Sequence, residues 1–188
     1  MIRLFRIAVL AGALFSSWPG PAIADTELFR SDLLIDAIIS NDYDLAKSTL
    51  IKGHDPDPVD SYRRTPLIIA AMAGNADLVA LLVKFKAKPD ARDGAGASAL
   101  HYASARGHVE VVETLLKLGA QINKENLQGM TPLMMAASDG RLEIVRLLLK
   151  HKADATRSDY TGRTALMWAE RNGRKNIIRL FRQAGVRE

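Results

Sequence analysis

Four short segments recur along this chain at a fixed interval of 33 residues: Thr65-Pro66-Leu67, Ser98-Ala99-Leu100, Thr131-Pro132-Leu133 and Thr164-Ala165-Leu166. A glycine follows each segment at the same offset, at Gly74, Gly107, Gly140 and Gly173. A repeat of this length predicts a stack of similar structural units, each packed only on its neighbours, rather than one core enclosed by the whole chain.

The composition is that of a soluble globular protein. The chain has 188 residues, of which 48% are hydrophobic and 25% charged. It contains no apolar run of about 18 residues, so we expect no stable membrane anchor. It also contains no cysteine. The fold must therefore be stable without disulfide bonds, and lipid attachment to a cysteine at a cleavage site is excluded.

The first 24 residues have the pattern of a secretory signal peptide. Arg3 and Arg6 precede a short apolar run over residues 7–15, and Ala22-Ile23-Ala24 is a small-x-small cleavage site. We therefore predict a signal peptide over residues 1–24, cleaved after Ala24, and a mature domain over residues 25–188. The alternative is an N-terminal helix that stays attached. A small, exported, cysteine-free protein is typical of a Gram-negative periplasm, although onward secretion remains open.

Each repeat contains the signals for two helices. Thr65 can cap the first helix, Pro66 suits its first position, and Gly74 can end it in a left-handed conformation. A second apolar stripe with helical spacing follows, beginning with Leu78 and Val79. We therefore predict an all-α fold of stacked helix-turn-helix units, with the first-helix residues Leu67, Ile69, Ala70 and Ala71 pointing inward.

The turns repeat as well. Asp60, Asp93, Asn126 and Asp159 lie 33 residues apart and can accept hydrogen bonds from turn backbone. This spacing divides the chain into about five repeats, at residues 32–59, 60–92, 93–125, 126–158 and 159–188. In the divergent first unit, Asp32 falls at the helix-cap position, Leu33 follows it, and Asn41 replaces the glycine. Lys86 and Lys152 stand where other units have glycine after the second helix, at a cost of about 1 kcal/mol each if the backbone is left-handed.

The repeated residues resemble the ankyrin repeat, most closely in Ser98-Ala99-Leu100-His101-Tyr102-Ala103 and Gly107-His108-Val109-Glu110-Val111-Val112. The resemblance extends over about residues 32–187. It implies a curved solenoid with projecting β-hairpin loops, which binds another protein through the hairpin tips and the concave face of the first helices. It implies no catalytic residues and no cofactor. Only His101 occupies the family's histidine position; Ile68, Met134 and Met167 replace it elsewhere.

Other chemistry has weak support in the sequence. The histidines form no zinc-binding pattern, and His101 and His108 are expected to be structural. Asp55, Asp57 and Asp60 lie close together, but the prolines between them and the absence of an EF-hand pattern argue against calcium. Gly94-Ala95-Gly96 follows no strand, so we assign it to a hairpin turn rather than a phosphate loop.

The repeat pattern leaves certain turn and first-helix side chains without a role in the fold, and these are the predicted partner-binding residues. They are Tyr62, Arg64, Met72, Arg106, Leu127, Met130, Asp139, Tyr160, Arg163 and Arg171. Ser138 and Asn172 are also left without a role. Large apolar side chains and arginine are common at interface hot spots. The alternative is that the tip residues pack against their own hairpins. Trp168 and Phe181 are interpreted as core residues.

The last repeat is strongly basic. Residues 157–188 carry eight basic and three acidic side chains. This excess could bind an acidic partner, a membrane surface or nucleic acid, but a solvated cap is the simpler interpretation, and we expect no nucleic-acid partner.

Our leading hypothesis is a non-enzymatic, monomeric, periplasmic scaffold that binds a protein. The resemblance to exported bacterial ankyrin proteins implies a stress- or peroxide-defence enzyme as that partner. A secreted effector that binds a host protein, and an enzyme with a site assembled across repeats, are the alternatives.

Overall fold

The computed structural model describes the backbone of residues 26–186 and the side chains of residues 33–186. The predicted signal peptide and its cleavage site lie outside these residues. The described chain forms ten helices: α1 (Thr26–Ile39), α2 (Tyr43–Ile51), α3 (Pro66–Ala73), α4 (Ala76–Lys84), α5 (Ala99–Arg106), α6 (Val109–Lys117), α7 (Pro132–Ser138), α8 (Leu142–Lys150), α9 (Ala165–Arg171) and α10 (Lys175–Gln183).

The helices form two layers, as predicted. The first helices of successive units (α1, α3, α5, α7 and α9) pack side by side, and the second helices (α2, α4, α6, α8 and α10) form a parallel row behind them. The alanines at one position of α3, α5, α7 and α9 have no exposed surface. Since an alanine side chain is a single methyl group, adjacent first helices can approach closely, and one continuous core runs through the stack.

The predicted helix ends are confirmed. The side-chain hydroxyls of Thr65, Thr131 and Thr164 accept hydrogen bonds from the backbone amides three residues later. The four glycines after the first helices all have left-handed backbone, with φ between 65° and 86°. Lys86 and Lys152 also have left-handed backbone, with φ of 69° and 64°, as do Asn41 and Arg63. Four positions that would suit glycine are therefore occupied by residues that carry a side chain.

The start of the first unit differs from the prediction. Asp32 was expected to cap a helix, but α1 begins at Thr26 and runs through residue 32. The other units have a hairpin and a Thr or Ser cap at this point, whereas residues 26–31 contain neither glycine nor proline to interrupt a helix. Leu33, at the expected start of the apolar face, is 40% exposed.

His101 joins two neighbouring units. Its Nδ1 accepts a hydrogen bond from the Ser98 amide at 3.1 Å, so its Nε2 carries the proton and donates to the Met130 carbonyl at 3.1 Å. Burial lowers the pKa of His101 to about 4, and the ring is neutral at pH 7. The prediction that His101 is structural is confirmed.

The loops between units are tight turns rather than paired strands. Within residues 26–186, one isolated antiparallel bridge joins Ser158 and Thr164, and no strand forms. None of the described helices is long and apolar enough to cross a membrane.

Candidate protein-binding surface

The four hairpins are built in the same way. In each, the side-chain Oδ1 of Asp60, Asp93, Asn126 or Asp159 accepts hydrogen bonds from the amides two and four residues later, at 2.8–3.0 Å. The predicted turn role of these residues is confirmed. Because one side chain satisfies two amides in every hairpin, the tips have a fixed shape.

Backbone hydrogen bonds also join each hairpin to the next. The amides of Gly94, Leu127 and Tyr160 donate to carbonyls of the preceding hairpin, at Tyr62, Ala95 and Gln128, over 3.0–3.1 Å. The four tips therefore lie in one row along a single edge of the solenoid. Gly94-Ala95-Gly96, which superficially resembles a phosphate loop, belongs to this row.

Three of the predicted tip residues are large and mostly exposed. Tyr62 is 68% exposed, Leu127 63% and Tyr160 73%. Leu127 and Tyr160 also cover the glycine of the preceding hairpin: a Cβ at Gly129 would lie 2.6 Å from the Tyr160 ring, and one at Gly96 would lie 2.9 Å from Leu127. These two side chains contact the preceding hairpin, and most of their surface is still exposed.

Tyr62 lies beside an arginine that the hairpin neutralises. The Arg64 guanidinium is 4.8 Å from the Tyr62 ring centroid, and its Nε and Nη2 lie 2.7 and 2.6 Å from the Asp60 carboxylate. Burial tends to raise the pKa of Asp60, but the hydrogen bonds from Arg64 and Tyr62 outweigh it and lower the pKa. Arg64 is therefore half-buried and already paired.

Two predicted residues are less available than the sequence suggested. Met72 and Met130 are half-buried and pack against the core. Met130 is in a hairpin, but its carbonyl accepts the His101 Nε2 bond, which draws this residue towards the stack. Met72 lines a groove of about 390 Å³ together with Tyr62, Arg64 and Tyr102. The structure thus brings three of the predicted residues, Tyr62, Arg64 and Met72, to one groove.

Three residues assigned to the free concave face make contacts between units. Arg106 donates to the Met72 carbonyl at 2.9 Å, and Asn172 donates to the Ser138 carbonyl at 3.0 Å and hydroxyl at 2.9 Å. The prediction that Arg106, Ser138 and Asn172 have no role in the fold is wrong, because polar side chains at the ends of the first helices bond to the preceding unit. Asp139 is exposed and lines a separate groove beside Arg174.

A row of half-buried side chains on the first helices was missed. Ile69, Tyr102, Met135 and Trp168 share one repeat position, and none is fully buried. The prediction that Ile69 and Trp168 are core residues is therefore only partly correct, whereas Phe181 is fully buried. The 33-residue spacing could have found this row, but its half-burial depends on how closely the hairpins approach the helices.

The two aromatic members of this row bond to their own hairpins. The Tyr102 hydroxyl donates to Asp93 Oδ2 at 2.6 Å, and Trp168 Nε1 donates to Asp159 Oδ2 at 2.9 Å. Burial, together with the bond to Asp93, raises the pKa of Tyr102 to about 12. Tyr102 is thus a neutral hydrogen-bonded phenol at pH 7, and both rings are half-buried beside their hairpins.

The last unit gathers two further predicted residues. The guanidinium carbons of Arg163 and Arg171 lie 5.5 and 5.2 Å from the Trp168 ring centroid. Lys175, Arg179 and Arg182 lie on α10, where Ile178 completes a basic groove of about 550 Å³. Of these, Arg182 pairs with Glu170 at 3.2 Å.

The described residues offer no assembled metal centre. No three His, Asp or Glu side chains among them could hold a metal ion together. The acidic loop before α3 is used by the fold, since Asp57 accepts from the Lys88 amide at 3.2 Å and Asp60 pairs with Arg64. His108, expected to be structural, shares a hydrogen bond with the Met72 carbonyl at 3.2 Å.

The paired helices and the linked hairpin tips form a repeat solenoid. A family model that describes three copies of the ankyrin repeat matches residues 34–126 and 118–187. The chain therefore belongs to the ankyrin repeat family. No curated protein matches its sequence.

Proposed function

We propose that this protein is a non-enzymatic, monomeric scaffold of the periplasm that binds a partner protein through its hairpin tips and concave face. The observation that carries the proposal is the row formed by Tyr62, Leu127 and Tyr160, each more than 60% exposed and each linked by backbone bonds to a neighbouring hairpin. Ankyrin repeats generally mediate binding to other proteins. Large side chains held on a rigid frame lose little conformational entropy on binding.

The concave face adds polar recognition to this apolar row. Tyr102 and Trp168 present half-buried rings, and Arg64, Arg163 and Arg171 place guanidinium groups beside aromatic rings. A partner that contacts both the tips and this face would bury rings and arginines, the residue types that dominate interface energetics. The class of partner that we put forward is a stress- or peroxide-defence enzyme, on the basis of the resemblance to exported bacterial ankyrin proteins.

The test is the combined substitution Tyr62→Ala, Leu127→Ala and Tyr160→Ala. We expect this variant to lose capture of the partner by crosslinking and pull-down from periplasmic extract, with helical content unchanged by circular dichroism. The captured bands are identified by mass spectrometry, and the N-terminus of the mature protein is sequenced. Export with cleavage predicts that the recovered chain begins at Asp25.

The matched control is Ile51→Ala, Val109→Ala and Leu118→Ala, which removes three exposed apolar side chains at the ends of second helices. This control should capture the partner as the parent protein does. Equal capture by the tip variant would overturn the proposed surface, and recovery of an uncleaved chain from the cytoplasm would overturn the location. Turnover in a broad hydrolase screen, abolished by one polar substitution, would overturn the non-enzymatic assignment.

A further inference from the structure

Two arginines at the same position of different repeats have different partners. Arg64 and Arg163 each lie four residues after the hairpin aspartate. The Arg64 guanidinium forms a close ion pair with Asp60, at 2.6 and 2.7 Å. The Arg163 guanidinium forms no ion pair with any described residue; its Nη1 donates to the Thr161 hydroxyl at 2.7 Å, and it lies over Trp168.

The residue nine positions after the aspartate explains the difference. In the first case it is Ile69, whose side chain cannot donate a hydrogen bond, so Asp60 Oδ2 is left for the Arg64 guanidinium while Oδ1 accepts from two amides. In the last unit it is Trp168, whose Nε1 donates a hydrogen bond to Asp159 Oδ2 at 2.9 Å. Asp159 Oδ1 already accepts from the Thr161 hydroxyl and from two amides. Neither oxygen of Asp159 bonds to the Arg163 guanidinium, which forms no ion pair with a described residue.

Arg171 is the second arginine at this ring that has no ion pair with a described residue. It is exposed, lies 5.2 Å from the Trp168 centroid, and forms no ion pair with a described residue. The adjacent carboxylate of Glu170 pairs instead with Arg182 at 3.2 Å. Two guanidinium groups therefore lie 5.5 and 5.2 Å from the centroid of one half-buried indole, and neither forms an ion pair with a described residue. The Asp159 carboxylate bonds to the indole nitrogen instead. An anionic ligand at this ring would be attracted by both guanidinium groups.

We propose that Arg163, Trp168 and Arg171 form a binding site for an acidic segment of the partner protein, with partner carboxylates paired to the two guanidinium groups. Guanidinium groups bind carboxylates through two parallel hydrogen bonds, and both guanidinium groups lie within cation–π distance of the indole. The Trp168 ring provides apolar surface for the stem of a glutamate. This inference rests on the proposed scaffold function and names the chemistry of its partner.

The position of the cluster favours a protein segment over a membrane or a nucleic acid. Trp168 lies on α9 in the row of Ile69, Tyr102 and Met135, and a chain segment lying along this row would contact the guanidinium groups beside Trp168. The more strongly basic groove on α10 would be the contact for an extended phosphate backbone or a lipid surface. Both competitors are included in the test.

The test measures binding of a fluorescein-labelled hexaglutamate peptide to the full chain by fluorescence anisotropy. We expect saturable binding that weakens with added salt, and at least a tenfold loss of affinity in the double variant Arg163→Ala and Arg171→Ala, because that variant lacks both guanidinium groups to which the peptide carboxylates would pair. Arg157→Ala is the control, and it should change the affinity less than twofold, because the Arg157 guanidinium is already paired with Glu125 at 2.6 Å.

A second variant tests whether the hydrogen bond from Trp168 to Asp159 is the reason that Arg163 has no ion pair. Trp168→Ile copies the arrangement around Ile69 and releases Asp159 Oδ2, which should then pair with Arg163. We expect a loss of affinity of about tenfold although both arginines are retained. Unfolding by urea, followed by circular dichroism, verifies that each variant is folded.

In the chain carrying Trp18→Phe, Trp168 is the sole tryptophan, and its emission should change on addition of the peptide.

Several outcomes would overturn the inference. Unchanged hexaglutamate affinity in the double variant would do so, as would inorganic sulfate, anionic vesicles or single-stranded DNA binding to Arg163 and Arg171 as tightly as the peptide. If the double variant lost the peptide but still captured the partner, the acidic-segment assignment would fail and the scaffold function would stand. If the tip variant still captured the partner while peptide binding was intact, the proposed binding surface would fail instead.

Discussion

The internal unit over residues 93–125 and the last unit over residues 159–186 share one sequence pattern but differ in what covers them. Val112 is fully buried, whereas Ile178, at the same position of the last unit, is half-buried. His101 is likewise buried and bonded to the next hairpin, whereas its counterpart Met167 is half-buried. His101 bonds to the following unit, whereas the described chain ends after the last unit. The same residue position thus contributes different amounts to stability in the two units.

The largest expected effect is a difference between the two units in the free energy of unfolding that is lost when a side chain is shortened to alanine. Val112→Ala removes a fully buried side chain at the repeat position that Ile178 occupies in the last unit, and it should lower the free energy of unfolding by about 2.5 kcal/mol. Ile178→Ala should cost about 1 kcal/mol, because part of that side chain is already in water. Urea unfolding of both variants measures the difference, and equal losses would show that the last unit is as well covered as the internal one.

Acidification should weaken the internal unit through His101. The pKa of His101 in the folded protein is lowered to about 4, and the ordinary value is 6.5. The unfolded chain therefore binds a proton that the folded chain does not, in the window between these values, and stability falls as the pH drops through it. We expect a loss of about 2 kcal/mol between pH 7 and pH 5.

The matched variant is His101→Met, which places the residue of the neighbouring repeats, Met134 and Met167, at this position. Its urea midpoint should depend less on pH over the same window. A loss of stability between pH 7 and pH 5 as large as that of the parent protein would contradict the assignment to His101.

The smallest effects concern the left-handed positions after the second helices. Lys86 has φ of 69° where Gly119 has φ of 90°, and a Cβ at Gly119 would meet no atom within 4 Å. Lys86→Gly should therefore stabilise the protein, and Gly119→Ala should destabilise it, each by about 1 kcal/mol from backbone strain alone. Thermal unfolding followed by circular dichroism measures both, and shifts of the same sign would show that side-chain contacts outweigh the backbone at these positions.

The candidate site was only partly predictable. The exposure of Tyr62, Leu127 and Tyr160 follows from their place at the hairpin tips, which the repeat spacing locates. The burial of Met72 and Met130 and the bonds made by Arg106 and Asn172 could not be predicted in this way, because they depend on the preceding or following unit. Tyr102 and Trp168 were missed as surface residues because aromatic side chains at helical spacing usually belong to a core.

The sequence by itself determined the family, the helix caps and the left-handed turns, because each depends on residues close together in the chain. The 33-residue interval repeats those local signals and so predicts the stack. Only the tertiary structure decided where α1 begins, which apolar positions stay open at the ends of the stack, and which carboxylate each arginine meets. Arg64 and Arg163 occupy the same repeat position, and Arg64 pairs with Asp60 Oδ2. The corresponding oxygen, Asp159 Oδ2, accepts from Trp168 instead of pairing with Arg163. Such contacts are decided by competition among side chains in space, which a local pattern does not record.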